Sequence, residues 1–389
     1  MAGGAALPRL SQDPADPAFV ADPYPFYDRM RALGPLVHWE EIGLPCAAGH
    51  PEVNALLKDR RLGRARDLPD GAPHVRAFYD LERHSLLELE PPEHTRLRAK
   101  VLRAFTSRRV NGLEPAIRAL CEELVANFPD GPFDLIRSYA APVPVRTIAR
   151  LLGVPEEDAP DLLRWSAAMV AMYRPSPTRT DEESAGTASA EFDAYLRSHL
   201  AAKRVAPGED LLSDLAGAVG TGLTEAEAVS TAVLLLNAGH EATVHAIGLA
   251  ARRMLEDGVR PEGDGEPFAE EMLRIDPPLH LFTRHVYEAV EVGGHRLEPD
   301  EEVALLLGAA NRDPAAWPDP GRFDPIRDTR GQSAFGAGIH FCLGAPLARL
   351  ELRVALEALA EVPLRLTEPP EIAPIYHFRG HRRLMVDRA

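Results

Sequence analysis

Residues 224–256, TEAEAVSTAVLLLNAGHEATVHAIGLAARRMLE, constrain this chain more than any other stretch. Thr224 and Glu227 form a capping-box pattern, and a mostly apolar run follows. A helix from Thr224 to about Glu256 is roughly 45 Å long at 1.5 Å per residue. A helix that long and that apolar must run through a core, so the rest of the chain has to wrap around it. Inside the run lies a polar cluster, LLLNAGHEATVHAIG, with His240, Glu241, Thr243 and His245. Two histidines at i and i+4 on a helix suggest zinc. Here they are i and i+5, about 140° apart around the axis, and Val244 stands where the second ligand belongs. The spacing argues against a zinc hydrolase.

The other elements are mostly helical. Periodicity predicts helices at 23–34, 93–105, 111–127, 141–153, 158–173, 187–204 and 267–275, and a last one from near Pro346 to about Ala360. PLVHWEE reads as a short strand, and 282–307 as strands and turns. Residues 62–90 read as a long mixed connection, and NRDPAAWPDPGRFDPIRD as an irregular meander. The 36 prolines are spread along the chain rather than gathered in a linker, and no repeat shows. We therefore expect a mainly α fold with minor β, in a single domain over 1–389, with 1–20 irregular. A net charge of -16 argues against nucleic acid as a partner. No window approaches ~18 uninterrupted apolar residues, no signal pattern opens the chain, and the three cysteines are far apart. These features predict a cytoplasmic protein with no membrane span.

Chemistry concentrates at 335–346, FGAGIHFCLGAP. Gly336, Gly338 and Gly344 permit a tight loop around Cys342 and the approach of a flat ligand. The helix that starts directly afterwards offers N–H groups and the positive end of its dipole, which favour a thiolate. A lone cysteine in such a turn is also consistent with a structural role. The whole string, F-G-x-G-x-H-x-C-x-G followed by Arg349 and Glu351, resembles the haem-binding loop of the cytochrome P-450 superfamily. Other marks occur in family order. Glu271 and Arg274 resemble its E-x-x-R pair, PGRF its meander element with Arg322, and PPEHTRLR (91–98) its haem-facing helix. AGHEAT resembles its A-G-x-[D/E]-T-T signature.

The resemblance implies a cytochrome P-450 fold whose long central helix crosses the haem, and a monooxygenase that inserts one oxygen atom from O2 into an apolar small molecule. It implies haem b (iron protoporphyrin IX) with Cys342 as the metal ligand in a loop containing Phe335, Gly336 and Gly344. His94, Arg98, Arg284 and His340 are implied as haem-propionate partners. Glu271, Arg274 and Arg322 are implied as a structural brace, and Ala238 and Gly239 as the room left for O2. Glu241 is implied in the proton relay. The family's next residue is a threonine that holds a proton-delivering water, but here it is Ala242, and Thr243 is turned about 100° away. Three readings stay open: the substrate brings a hydroxyl; Thr243, His240 or water substitutes; or the reaction is an oxidative coupling or peroxide-driven one. A haem protein that binds a ligand without turnover is a further alternative.

Electrons are implied to come from a ferredoxin and its NAD(P)H-dependent reductase. The basic stripe Arg96, Lys100 and Arg103, with Arg108 and Arg109 after it, is a candidate docking face. By family position the substrate pocket draws on four segments. They are 62–90 (Phe78, Tyr79, Leu86, Leu87), 165–173 (Trp165, Met169, Met172, Tyr173), Leu281–Phe282, and Tyr376 to Phe378. A monomer is expected.

Overall fold

The computed structural model describes residues 6–102, 105, 107–173 and 177–389. Its contacts gather into two compact units, one of residues 1–64, 116–140 and 242–389, the other of 65–115 and 141–241.

The first unit holds all the sheets. A mixed six-stranded sheet runs Arg9–Leu10, Val37–Trp39, Leu44–Ala47, Glu302–Leu305, Phe282–Val286 and Leu62–Gly63 in spatial order. Strand Phe282–Val286 pairs antiparallel with Glu302–Leu305, Phe282 opposite Leu305 and Arg284 opposite Val303. Around it lie two apolar clusters. One joins Phe19, Phe26, Tyr27, Trp39 and Tyr376; the other joins Val53, Leu56, Leu57, Val303 and Leu305. Helix His50–Lys58 supplies three of the latter. Its Val53, Leu56 and Leu57 sit at i, i+3 and i+4, the spacing of one helix face, in a segment the periodicity reading left unassigned. Helices Glu266–Ile275 and Ala345–Ala360 pack together. Tyr139 ties the second of them down by donating to the Ala355 carbonyl at 2.7 Å.

The second unit is helical. Helix Arg179–Val205 packs against Ala159–Val170, Leu211–Ala218 and Arg76–Glu82. It begins eight residues earlier than the periodicity indicates, at a capping box between Thr178 and Asp181. The buried residues of this early part are Ala185 and Gly186, with Ala188 and Ser189 just beyond, all too small to register as an apolar pattern. Gly186 is required there, because a Cβ would overlap the His74 carbonyl oxygen. Helix Arg76–Glu82 lies inside 62–90, which the sequence reads as loop.

The central helix spans Glu225–Asp257, with Thr224 and Glu227 capping reciprocally at 2.8 and 3.1 Å. Its residues through Glu241 belong to the second unit and those from Ala242 to the first. No helix among the described residues is long and apolar enough to cross a membrane.

Candidate functional site

The loop 335–345 is built by its glycines. Gly336 and Gly338 have φ of +67° and +73°. At Gly338 a side chain is excluded twice over, since a Cβ would also overlap the Leu57 carbonyl oxygen. The single turn Gly338–His340 leads into Cys342, whose N–H donates to the Phe335 carbonyl at 3.0 Å and closes the loop. Helix Ala345–Ala360 starts three residues later, with Gly344 at its N-cap and Pro346 in its first turn. Cys342 is half-buried, whereas Cys46 and Cys121 are buried. Burial pushes Cys46 up to about 12 and Cys121 to about 11, so neither presents an anionic sulfur at neutral pH. Cys342 stands just before a helix, whose positive end favours a thiolate.

One ion pair braces this loop and a second clamps the meander before it. Arg349, in the first turns of the helix, stacks 4.5 Å over the Phe335 ring and pairs with Glu270. Glu271 and Arg274 are both fully buried and joined by two bonds of 2.7 Å. Arg274 also donates to the carbonyls of Asn311 and Pro320, at 2.8 and 2.9 Å. The place expected of Arg322 is taken by Arg327, whose Nε lies 3.3 Å from Glu271 Oε1. Arg322 offers only its backbone carbonyl, at 3.4 Å from Arg274, while its side chain is 66% exposed on Asp324. The turn that closes with Arg322 N–H on Asp319 O throws that side chain outward.

In the same unit Arg284 is 3% exposed, a buried positive charge suited to an anion, and His340 is half-buried in the turn. Phe282 packs on Gly336, 3.3 Å from where a Cβ would stand. Leu281 packs partly on the Trp39 cluster. Phe378 meets His245 edge-on at 5.0 Å. Tyr376, expected in the pocket, is core instead. It is 4% exposed, bonded to Tyr27 and packed on Trp39.

In the second unit His94 is buried and Arg98 half-buried, one turn apart on helix Glu93–Val101. Trp165 stacks on Phe192 at 5.1 Å and donates to Glu191, which makes it a packing residue. Met169 is fully buried. Tyr173 donates to the buried Glu82 at 3.2 Å. Of the basic stripe, Arg96 pairs with Glu227 and Arg109 with Asp214. Arg103 and the side chain of Arg108 lie outside the described residues.

Along the central helix Leu235, Leu236, Asn237, His240, Thr243, Val244 and Ile247 are buried. Leu234, Ala238, Glu241, Ala242 and His245 are exposed to some degree, and at 100° per residue these five share one face. His240 Nδ1 sits 3.0 Å from the Leu236 carbonyl. A carbonyl only accepts, so Nδ1 carries the proton and Nε2 is the acceptor. Burial lowers the His240 pKa, holding the ring neutral.

The donor set of the first unit fits a haem: one soft sulfur at a helix start, a glycine loop and a buried arginine, Arg284. Among the described residues no three His, Cys, Asp or Glu side chains are placed to share a metal ion.

Comparison with known proteins agrees. The cytochrome P450 family model matches residues 267–361. The chain is 39% identical to cytochrome P450 monooxygenase PikC of Streptomyces venezuelae, over 91% of this chain and 86% of that protein. It is 35% identical to the 6-deoxyerythronolide B hydroxylase of Saccharopolyspora erythraea, over 91% of this chain and 90% of that one. The crystal structure of P450BioI with a fatty-acyl-ligated acyl carrier protein superposes with a TM-score of 0.90 at 31% identity, covering 96% of this chain and all of that one.

Proposed function

The chain belongs to the cytochrome P450 family, and from that premise we propose that it oxidises an apolar small molecule with electrons from a separate ferredoxin and its NAD(P)H-dependent reductase. As a monooxygenase of this family it uses haem, O2, a small-molecule substrate and an external electron source. When bound, the haem supplies thiolate-assisted cleavage of O2 and transfer of one oxygen atom. The chain's own residues bind, position and manage protons. The observation that carries this reading is the half-buried Cys342 at the start of its helix, in a loop closed by its own N–H.

In this reading Cys342 Sγ holds the iron. Arg284 and His340, in the same unit, would take propionate charge, and His94 and Arg98 are a further pair one turn apart on helix Glu93–Val101. The chain passes between the units at 64/65, 115/116, 140/141 and 241/242, so neither is a contiguous segment, which supports a single functional domain. Glu241 Oε moves protons from the half-exposed strip of the helix. Ala242 offers only a methyl group where the family's hydroxyl would hold a water. Two possible substitutes are poorly suited. His240 presents an acceptor nitrogen on a neutral ring, and Thr243 is turned about 100° past Ala242, away from the strip. These observations favour a hydroxyl brought by the substrate, or a water it holds, over Thr243 or His240.

The test is reconstitution of the purified haem protein with a ferredoxin, its reductase and NADPH. Electron-dependent appearance of an oxygenated product is the expected result. Turnover with peroxide alone, or ligand binding with no product under reducing power, would sink the reading. Ala242→Thr, assayed with the true substrate, tests proton delivery. If coupling of electrons to product rises sharply, the native site has no substitute donor and the substrate-hydroxyl account fails.

A further inference from the structure

Asn237 lies on the central helix immediately before Ala238 and is 5% exposed. Its carboxamide nitrogen donates to Met169 Sδ at 3.6 Å, a weak bond. Its carbonyl oxygen is buried and has no hydrogen-bond partner among the described residues. The thioether fixes the orientation. Sulfur accepts and cannot donate, so the NH2 faces it. Turning the amide would set two acceptors together and strand the donors. A buried acceptor without a partner costs free energy, and leucine would fill the same volume without that cost. A native carboxamide in this state calls for a partner that arrives with a ligand. The two side chains in contact, Asn237 and Met169, belong to the same unit.

The position bears on the reaction. Asn237 precedes Ala242 by five residues, roughly 7.5 Å along the helix axis at 1.5 Å per residue. A small molecule of ten or so heavy atoms spans that distance. We propose that Asn237 is a specificity-determining residue whose Oδ1 accepts a hydrogen bond from a hydroxyl or N–H of the substrate. The enzyme then selects an apolar scaffold that carries a donor over the bare hydrocarbon. This rests on the monooxygenase reading above and narrows its substrate class. It also accords with Ala242, since the same class of molecule carries the group that the helix lacks.

The test is titration of the ferric holoenzyme, following the spin-state shift of the Soret band. The probes are matched pairs of one size. Cyclododecanol is set against its methyl ether, and the twelve-carbon lactam against its N-methyl form, so that hydroxyl and N–H donors are separated. Wild type should bind the donor member of at least one pair about tenfold more tightly, the worth of one hydrogen bond to a buried group. Asn237→Leu should abolish the difference, and Asn237→Asp, which keeps the acceptor, should retain it. Ligand-free Asn237→Leu should melt at or above the wild-type temperature; a lower melting point would show that the amide is structural and overturn the proposal. Equal binding within both pairs overturns this inference and leaves the monooxygenase reading standing. A set of probes that shifts no band overturns the apolar-substrate reading and this inference with it.

Discussion

At the scale of single residues, a buried polar knot in the first unit dominates. Tyr27 Oη lies 2.8 Å from His280 Nδ1 and donates to Tyr376 at 2.9 Å, while Tyr24 donates to the Ile275 carbonyl at 3.0 Å. Burial drives the His280 pKa from 6.5 to about 3, with Arg379 adding to the effect. Burial likewise takes His381 to about 3. Burial alone would raise Asp276, but Arg379, Arg312 and Arg252 bring it down to about 2. Both histidines fold neutral, so the unfolded chain binds protons first as pH drops below 6.5. Stability is therefore lost between pH 6.5 and 3, at about 1.4 kcal/mol per pH unit for each histidine. The Asp276 contribution is present above pH 3.8 and disappears as pH falls toward 2. Thermal midpoints of His381→Leu between pH 7 and 5 should fall less steeply than those of wild type. Identical slopes would refute a buried neutral His381. At the metal, Cys342→Ser should abolish the thiolate-type Soret band of the reduced, CO-bound protein, and a retained band would assign the ligand elsewhere.

At the scale of elements, the meander is clamped through Glu271. Removing one partner of a buried ion pair costs about 3–5 kcal/mol. Arg327→Ala should therefore lower the denaturation midpoint strongly, while Arg322→Ala should change stability by no more than about 0.5 kcal/mol. The reverse ranking would restore Arg322 to the brace. The loop makes a second demand. Gly338→Ala must adopt an unfavourable φ and displace the Leu57 carbonyl, so haem content after expression should drop together with the melting temperature. The reciprocal Thr224–Glu227 cap holds the start of the central helix, and Thr224→Ala should cost about 1 kcal/mol in chemical denaturation.

At the scale of the whole molecule, a net charge of -16 sets the background against which the proposed ferredoxin would dock. Arg96 and Arg109 are already committed to Glu227 and Asp214, which among the described side chains of the stripe leaves Lys100 to test. Lys100→Glu should raise the KM for ferredoxin several-fold at low salt. The difference should vanish near 1 M salt, where screening acts within about 3 Å. A KM unchanged at low salt would remove this face from consideration.

Local sequence determined the mainly α character, the central helix with its cap, and the Cys342 loop. Each rests on short-range physics: 3.6-residue periodicity, reciprocal capping, glycine at positive φ, and a helix start beside a sulfur. The odd Ala242 was legible for the same reason. The early turns of Arg179–Val205 were hidden because small residues pack closely without an apolar signature. The choice of Arg327 over Arg322 turned on which way one turn throws a side chain, and spacing does not encode that. Tyr376 and Trp165 look like pocket aromatics in the sequence, and only their packing partners place them in the core. Asn237 reads as an ordinary polar residue in an apolar helix. Its meaning emerges when Met169, 68 residues away, supplies an acceptor and no donor. Tertiary structure decided these cases because each depends on what long-range folding brings against the side chain.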